Sequence, residues 1–455
     1  MEPRRAAQGG DRREDRPASG AERVAPRHVD RIAGARLQGG QVVDVDIVDG
    51  VVVAVTDAGT TPTRGGPTGG ASVIDARGYM VLTAPAEPHA HLDKALSWGA
   101  TRPPGCDLGA AIAAWRAYAA TVDEDEIHAR ALAAARKLVA NGTTAVRSHV
   151  DLHDDHDPLR GVRALVRVRD ELAGVMDLQI AVMVNEVDPS DRARAAIAAG
   201  ADLIGGAPHI STDPVAETHR LVDLAEELGT GIDLHVDEFL DGDHAMLEVF
   251  TDRVATWPTG QLRTAGHCCR IGSLDGAGQS RAAGALSRAG VGVVTLPITN
   301  LYLQGRAGCT SVPRGLPPVR ALLETDVTVA AGADNVRDPF NPVGRSDATE
   351  TAMLLIVAAH LDMDTAWQLV TGGAREVMGL PPAGPSPGLR ADLLLVRAGG
   401  LDDVIADAPP DRIVLRAACV VAAREVLVFV DPGVALLDDQ AATTHPRTPT
   451  YEETR

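Results

Sequence analysis

Short apolar strand candidates alternate with alanine-rich helical stretches along the middle of the chain, eight times in succession. The helical stretches place apolar residues three and four apart, as in Ile127–Val139, which is typical of helices that pack on a sheet through one face. Eight β/α units in series fit a closed parallel barrel, and no glycine-rich phosphate-binding fingerprint follows any strand. The sequence therefore predicts an α/β fold of the TIM-like (β/α)8 barrel class. The strand candidates begin near Met80, Thr144, Leu178, Leu203, Ile232, Leu262, Val291 and Val327.

The two ends of the chain are rich in short β-strand candidates instead. Near the N-terminus, two alternating runs are joined by Asp49-Gly50, a dipeptide that favours a tight hairpin turn, and Gly59–Gly70 is predicted to be a loop. Similar runs return at the C-terminal end, the last of them Val426–Val430. The expected division is a disordered arm at 1–27, a small β-sandwich domain at 28–80 plus 388–435, a barrel at 81–387 and a disordered tail at 436–455.

Charge and composition restrict the possible partners. The 455 residues carry a formal net charge of -19, whereas nucleic acids and anionic membranes both require a basic face. No run of consecutive apolar residues is long enough for a transmembrane helix, and the first residues lack the apolar segment of a secretory signal. Five scattered cysteines argue against a disulfide framework. We expect a cytoplasmic protein that acts on a small molecule, with no nucleic-acid or membrane partner; a homo-oligomeric state stays open.

The segment Glu87-Pro-His-Ala-His-Leu-Asp-Lys94 contains two histidines separated by one residue, after the apolar run Tyr79–Thr83. If that run is a strand that continues into the segment, His89 and His91 share a face and can reach one ion. A His-x-His pair alone is weak evidence, because most such pairs bind no metal. Its meaning depends on whether other strand ends supply the remaining ligands.

Three further strand candidates end in residues that bind metals. The fifth ends in His235, the sixth in His267 and the eighth in Asp334. The carboxyl ends of the strands form the active-site face of a β/α barrel, so these side chains should meet the histidine pair. Imidazole and carboxylate ligands suit Zn²⁺ or Fe²⁺ and leave a position for water. The sequence therefore predicts a metal site at this face.

One metal ion is expected rather than two. Barrel hydrolases with two metals often bridge them with a carboxylated lysine at the end of strand four. This chain has only two lysines, Lys94 and Lys137, and its fourth strand candidate ends Gly205-Gly-Ala-Pro-His209. His209 either lines the site or packs beneath it. We predict one divalent metal ion, Zn or Fe, as the cofactor.

Six motifs together resemble the cytosine deaminase branch of the amidohydrolase superfamily, over about residues 33 to 430. They are Glu87-Pro-His-Ala-His-Leu-Asp, Arg147-Ser-His-Val-Asp, Asp177-Leu-Gln-Ile, His235-Val-Asp-Glu, Asn300-Leu-Tyr-Leu-Gln-Gly-Arg and Asp334-Asn-Val-Arg-Asp-Pro-Phe-Asn-Pro-Val-Gly. The resemblance implies four metal ligands, which are His89, His91, His235 and Asp334. It also implies that His267 lies beside the attacking water and that Glu238 moves protons.

The resemblance implies a hydrolase that acts on carbon–nitrogen bonds other than peptide bonds. In the expected reaction, hydroxide supplied by the metal attacks the amino-bearing carbon of a cytosine-like cyclic amidine and ammonia is released. Asp334 can accept the proton of the attacking water, and Glu238 can protonate a ring nitrogen and then the departing amine. Glu238, His267 and Asp334 are thus the expected catalytic residues. Two alternatives stay open: cleavage of an exocyclic C–NHR bond or a cyclic amide, and a catalytically silent scaffold barrel.

Substrate contacts are the part in which the chain departs from that family. Cytosine deaminases carry a glutamine at the end of strand three, where this chain has Asn185, and an aspartate after the metal-binding one, where it has Asn335. Gln304 matches the family, Phe340 is the expected aromatic wall, and His149 is expected to line the pocket at the end of strand two. Because buried polar groups discriminate between rings, these changes predict a related amino-substituted nitrogen heterocycle as the substrate.

Overall fold

The computed structural model describes residues 27–59, 72–105, 107–153, 156–242, 245–306 and 310–426. The expected arm and tail, most of the Gly59–Gly70 loop and nearly all of the Val426–Val430 strand candidate lie outside these residues. Within the described ranges, no helix is both long enough and apolar enough to cross a membrane.

The described strands belong to two sheets, and helices connect the strands of the larger structural unit, the barrel. The strands are β1 Arg27–His28, β2 Arg31–Arg36, β3 Val42–Val48, β4 Val51–Asp57, β5 Val73–Asp75, β6 Tyr79–Thr83, β7 Ala86–Ala90, β8 Ala145–Asp151, β9 Asp177–Met183, β10 Leu203–Gly206, β11 Gly231–Val236, β12 Arg263–His267, β13 Gly292–Thr295, β14 Val329–Ala331, β15 Leu393–Arg397, β16 Arg412–Arg416 and β17 Cys419–Arg424. The helices are α1 Trp98–Thr101, α2 Leu108–Ala119, α3 Glu124–Ala140, α4 Arg160–Glu171, α5 Ser190–Ala198, α6 Pro214–Leu228, α7 Leu247–Val254, α8 Gly276–Ala289, α9 Pro297–Leu303, α10 Val319–Leu323, α11 Ala348–Ala359, α12 Met363–Leu369, α13 Gly372–Val377 and α14 Leu401–Asp407.

Strands β7 to β14 form the barrel, and each pairs in parallel with the next along the chain. A parallel bridge between Ala90 and Asp334 brings the end of the last strand back to the first. Most residues of these strands are buried on both faces, as expected for a parallel sheet covered by helices. The predicted (β/α)8 barrel is confirmed, and seven of its eight strands begin within two residues of the predicted positions.

Strands β1 to β6 and β15 to β17 form a separate nine-stranded mixed sheet. Its buried apolar residues, among them Ile47 and Leu395, form a cluster of their own. In the β3–β4 hairpin, Asp49 has φ of 49° and Gly50 has φ of 78°, and two consecutive positive φ angles are typical of the type I′ turn. The prediction that the two chain ends build one small β unit beside the barrel is therefore confirmed.

The position of the first barrel strand differs from the prediction. The apolar run Tyr79–Thr83 is β6, which pairs antiparallel with β15 in the mixed sheet. The histidine pair belongs to a second strand, Ala86–Ala90, which pairs with β8. The chain leaves one sheet for the other around Pro85, which has no N–H group with which to continue a strand ladder. The predicted division at residue 80 consequently falls within β6.

The barrel interior is filled in layers, because alternate residues of a strand share a face. On β8 these are Arg147, His149 and Asp151. The Arg147 guanidinium donates from Nη1 to Asp233 Oδ2 at 2.7 Å, and both side chains are fully buried. His149 lies in the next layer, with Nε2 at 3.4 Å from Asp233 Oδ1. Asp151 ends the strand, and His235 follows Asp233 on the same face of β11. The site at the strand ends thus stands on a packed polar floor.

Candidate metal centre and active site

Four donor atoms converge at the carboxyl end of the barrel. His89 Nε2 lies 3.2 Å from His235 Nε2, which lies 3.2 Å from His91 Nε2. Asp334 Oδ1 lies 3.2 Å from His91 Nε2 and 3.6 Å from His89 Nε2. All four side chains are buried. The structure therefore brings together the four residues predicted as metal ligands.

These separations fit a single metal ion. Nitrogen and oxygen ligands at about 2.0–2.2 Å from a tetrahedral ion lie about 3.3–3.6 Å from one another, which is close to the distances observed here. Neither carboxylate oxygen of Asp334 has a hydrogen-bond partner among the described residues. Burial and the nearby Glu238 carboxyl raise the pKa of Asp334 well above its ordinary value, so that a cation is needed to favour the ionised form. The donor set therefore fits a divalent ion.

The three imidazoles are in the form that ligation requires. Burial lowers the pKa of His89, His91 and His235 well below the ordinary value, and the neighbouring imidazoles lower it further. A neutral imidazole offers a lone pair to a metal, whereas an imidazolium does not. Two other histidines are close to these imidazoles. A nitrogen of His149 lies within 4.8 Å of nitrogens of His89 and His91, and a nitrogen of His267 lies within 4.8 Å of nitrogens of His89 and His235. His149 instead faces Asp233, and His267 Nδ1 is bonded to Asn300.

Backbone contacts hold Asp334 against the first strand. The Asp334 N–H donates to the His89 carbonyl at 3.0 Å, and Asp334 itself has a left-handed φ of 62°. The Glu87 carboxylate accepts from the backbone N–H groups of Ala333 at 2.9 Å and His89 at 3.2 Å. Because one carboxylate joins both segments, it fixes the eighth strand end relative to the histidine pair. Glu87 is a positioning residue that the sequence analysis did not assign.

Glu238 and His267 lie side by side next to the donor set. Glu238 Oε1 is 3.5 Å from His267 Nδ1. Burial raises the pKa of Glu238 to about 8, so that its carboxyl is largely protonated at neutral pH. The Asn300 amide nitrogen, on α9, lies 3.0 Å from His267 Nδ1. When that amide donates, the ring proton of His267 resides on Nε2, which has no hydrogen-bond partner in the described part of the chain.

A cavity of about 290 Å³ opens above these residues. Its floor contains His91, His235, Asp334, Glu238 and His267. This size is close to the lower end of the range of about 300–1,000 Å³ that is usual for small-molecule sites. The cavity thus presents the candidate metal centre and both neighbouring groups to a small ligand.

Three of the five predicted substrate contacts line the cavity, namely Asn185, Asn335 and Phe340. Asn335 is also bonded, because its Nδ2 donates to Asp338 Oδ2 at 2.8 Å. His209 lines the cavity too, with Nδ1 at 3.1 Å from the His235 carbonyl. Of the two positions considered for this histidine, the structure shows the one at the cavity wall.

His149 and Gln304, the two other predicted contacts, do not line the cavity. His149 lies one layer below the strand ends, where its ring packs on that of His89 with centroids 3.9 Å apart. The Gln304 amide follows α9 and donates from Nε2 to the Glu238 carbonyl at 3.0 Å. In this structure, His149 therefore contacts the candidate ligand His89, and Gln304 contacts the main chain of Glu238.

A hydrogen-bonded network beside His91 was missed by the sequence analysis. Lys94 Nζ lies 3.1 Å from His91 Nδ1 and 2.8 Å from Asp151 Oδ1, and Asp151 Oδ2 accepts from Trp115 Nε1 at 2.7 Å. The Trp115–Asp151–Lys94 hydrogen bonds therefore connect helix α2 with the surroundings of a candidate metal ligand. The sequence signal that could have indicated it is Lys94, one of only two lysines, three residues after His91.

The chain is similar in sequence to proteins of one known family. A sequence model described as "Amidohydrolase family" matches residues 112–428. A pterin deaminase from Rhizobium rhizogenes (strain K84) is 30% identical over 394 residues, which cover 84% of this chain and 88% of the relative.

Two solved structures are similar over most of their length. The structure of 5-methylcytosine deaminase from Klebsiella pneumoniae, liganded with 5-fluorocytosine, has a TM-score of 0.79 at 28% identity and covers 89% of this chain and 100% of that chain. N-isopropylammelide isopropylaminohydrolase from Burkholderia multivorans has a TM-score of 0.73 at 29% identity, with 88% and 99% coverage. The extent of the family match and of the pterin deaminase alignment shows that this protein belongs to the amidohydrolase family.

Proposed function

We propose that this protein is a metal-dependent hydrolytic deaminase that acts on an amino-substituted nitrogen heterocycle and releases ammonia. The observation that supports it most strongly is the set of four donor atoms at 3.2–3.6 Å, with the buried carboxyl of Glu238 beside it on the floor of a small cavity. Hydrolysis of an amidine needs a nucleophile near the amino-bearing carbon and a proton donor within hydrogen-bond reach of the ring nitrogen and the departing amine. This floor supplies positions for both.

The relatives support the same reaction class. Two of them are named as deaminases, one of pterin and one of 5-methylcytosine, and each aligns with more than four fifths of this chain. A third is named as an isopropylaminohydrolase of N-isopropylammelide. By these names, the amino group removed is an unsubstituted amine in the first two and an alkylamine in the third. We therefore place deamination first and keep alkylamine release as an outcome of the test.

We propose that His89, His91, His235 and Asp334 hold one divalent ion, Zn or Fe. When bound, such an ion supplies nucleophilic hydroxide at neutral pH and acts as a Lewis acid. The remaining steps depend on side chains of this protein.

Glu238 is the proposed proton carrier. Its pKa of about 8 keeps a proton on the carboxyl at neutral pH, and donation of that proton to a ring nitrogen makes the adjacent carbon more electrophilic. The resulting carboxylate can then accept the proton of the attacking water and deliver it to the departing amine. The carbon–nitrogen bond breaks as ammonia leaves, and the second proton of the attacking water returns to the Glu238 carboxylate as the hydroxyl on the ring carbon becomes a carbonyl.

His267 and the cavity walls are proposed to position the reactants. The Nε2–H of His267 is available to orient the attacking oxygen and to stabilise negative charge that develops on it. Asn185 and Asn335 offer amide groups to the polar edge of a ring, and Phe340 offers an apolar face. Asn335 is held by Asp338, so that its orientation is fixed before a substrate binds.

Ammonia release from a panel of heterocycles tests the proposal. The purified, metal-loaded enzyme is incubated with pterin, 5-methylcytosine, cytosine and N-isopropylammelide, and ammonia and isopropylamine are quantified separately. We expect ammonia from at least one ring amine, and at least about 100-fold slower release with the Glu238→Gln variant. Isopropylamine or ring opening without ammonia would contradict deamination. A protein that binds neither Zn nor Fe and is inactive on every compound would favour the scaffold alternative.

A further inference from the structure

Helix α2 (Leu108–Ala119) forms one wall of the cavity. Ile112, Trp115, Arg116 and Ala119 all line it, which is the spacing of one helix face. Along this face, the buried Trp115 is bonded to Asp151, whereas Arg116 is exposed. This wall therefore combines an aromatic side chain that is held in place by a hydrogen bond with an exposed guanidinium.

Exposure distinguishes the rim of the cavity from its floor. The candidate metal ligands are buried, whereas Val187 is 66% exposed and Ile210 is 46% exposed. Both line the cavity, as does exposed Arg116. Arg116 therefore lies on the solvent side of the cavity, away from the groups that would hold the reacting amine.

The charge of Arg116 is available to a ligand. Its guanidinium has no hydrogen bond or ion pair with any residue that the structure describes. By contrast, Lys94 in the same cavity is paired with Asp151 at 2.8 Å, and Arg160 donates from Nη2 to the Ala119 carbonyl at 2.7 Å while it is 4% exposed. A cation that has no partner among the described residues, at the mouth of a cavity in a chain of net charge -19, attracts an anion locally.

We propose that Arg116 binds a carboxylate of the substrate, so that the enzyme acts on amino-substituted heterocycles that carry an anionic group on the side remote from the amine. This inference rests on the proposed function, which places the amine at the floor. A guanidinium offers two parallel N–H donors that match a carboxylate. One guanidinium with apolar rim neighbours matches a single negative charge better than the double charge of a phosphate.

Binding of two matched ligands tests this inference. The probes are a pterin with a carboxylate on the pyrazine ring and the same pterin with a carboxamide there, which has a similar size and no charge. Dissociation constants are measured from the fluorescence of the pterin ring with the metal-loaded enzyme. We expect the carboxylate to bind more tightly, and the difference to shrink in 0.5 M salt because an exposed ionic contact is screened.

Two variants separate a specific contact from general charge. Arg116→Gln should weaken carboxylate binding roughly 5- to 20-fold more than carboxamide binding, which is the range for an ionic hydrogen bond at a partly exposed site. Arg136→Gln makes the same charge change on α3, at an exposed position that does not line the cavity, and should leave both dissociation constants unchanged.

The outcomes distinguish this inference from the proposed function. Equal losses for both probes in Arg116→Gln, no preference for the carboxylate in the wild type, or no binding of either probe would overturn the carboxylate site. Tight, Arg116-dependent binding without ammonia release would contradict the proposed deamination while it supports the carboxylate site. Ammonia release from both probes that does not depend on Arg116 would support the proposed deamination and contradict the carboxylate site.

Discussion

Replacement of Glu238 by glutamine separates the catalytic role of this residue from its cost to stability. The side chain is 7% exposed, and burial raises its pKa to about 8. Glutamine has almost the same shape but cannot ionise. The variant therefore keeps the packing of the site and removes only the proton exchange, which makes it a direct test of the proposed role.

The stability effect has a defined sign and size. The pKa of Glu238 is higher in the folded protein than its ordinary value of 4.5, so the folded state holds the proton more tightly than the unfolded state. Burial of Glu238 therefore does not lower the free energy of unfolding of the wild type below about pH 4.5, but it lowers this free energy progressively as the pH rises toward 8. The full shift corresponds to roughly 5 kcal/mol, of which about 3 kcal/mol develops between pH 5 and pH 7.5. Glu238→Gln should avoid this loss.

Chemical denaturation at a series of pH values measures that difference, with metal removed so that no ion stabilises the carboxylate. The free energy of unfolding of Glu238→Gln minus that of the wild type should increase with pH. Under metal-loaded conditions, the variant should retain its Zn or Fe and lose activity by roughly 10²- to 10⁴-fold. Glu248→Gln, at an exposed position on α7, is the matched control and should change neither quantity. A difference in stability that is flat with pH, or loss of metal in Glu238→Gln, would refute the reasoning.

Three further substitutions test how the site is held together. His89→Ala removes one of four donors, and metal analysis should show little or no bound ion; full retention would mean that His89 is not a ligand. Gly266→Ala would place a methyl group 2.9 Å from His89 Cε1, so the buried ring must move, and metal affinity should fall by about tenfold or more in a competition titration. Trp115→Phe removes the N–H that donates to Asp151 and should cost roughly 1–3 kcal/mol by denaturation, with the bound metal retained; unchanged stability would mean that this bond contributes little.

The fold could be predicted from the sequence because the strand signal is repeated. Seven barrel strands began close to their predicted positions, since short apolar runs between amphipathic helices leave few other arrangements. The meeting of His235, His267 and Asp334 with the histidine pair could be predicted for a related reason, and the resemblance then implied which four of these five are ligands. Parallel strands that follow one another in a barrel end at one face, so His235 and Asp334 must approach the histidine pair once the topology is known.

The details that the sequence leaves open depend on tertiary contacts. Tyr79–Thr83 has the pattern of a buried strand in either sheet, and only its pairing with β15 shows which sheet it joins. His149 lies near the carboxyl end of β8, as a lining residue would, but alternation puts it one layer below Asp151. Gln304 matches a motif, yet its amide is bonded to the main chain of Glu238. A sequence pattern predicts which face of a strand a side chain lies on. It does not predict the layer of the barrel interior that the side chain occupies, or its hydrogen-bond partner.

Several features of this site oppose folding unless an ion is present. His267 and Asp334 have left-handed backbone angles, with φ of 68° and 62°, at a cost of about 1–3 kcal/mol each. Neutral imidazoles face one another and Asp334 across 3.2–3.6 Å, and no described residue donates a hydrogen bond to the Asp334 carboxylate. One cation would satisfy the three imidazoles and the Asp334 carboxylate together. Because these four groups meet only in the folded protein, binding of the ion would stabilise the folded state. The proposed metal would therefore stabilise the carboxyl end of the barrel as well as supply its chemistry. The backbone preferences of His267 and Asp334 are overridden at the place where that ion would bind.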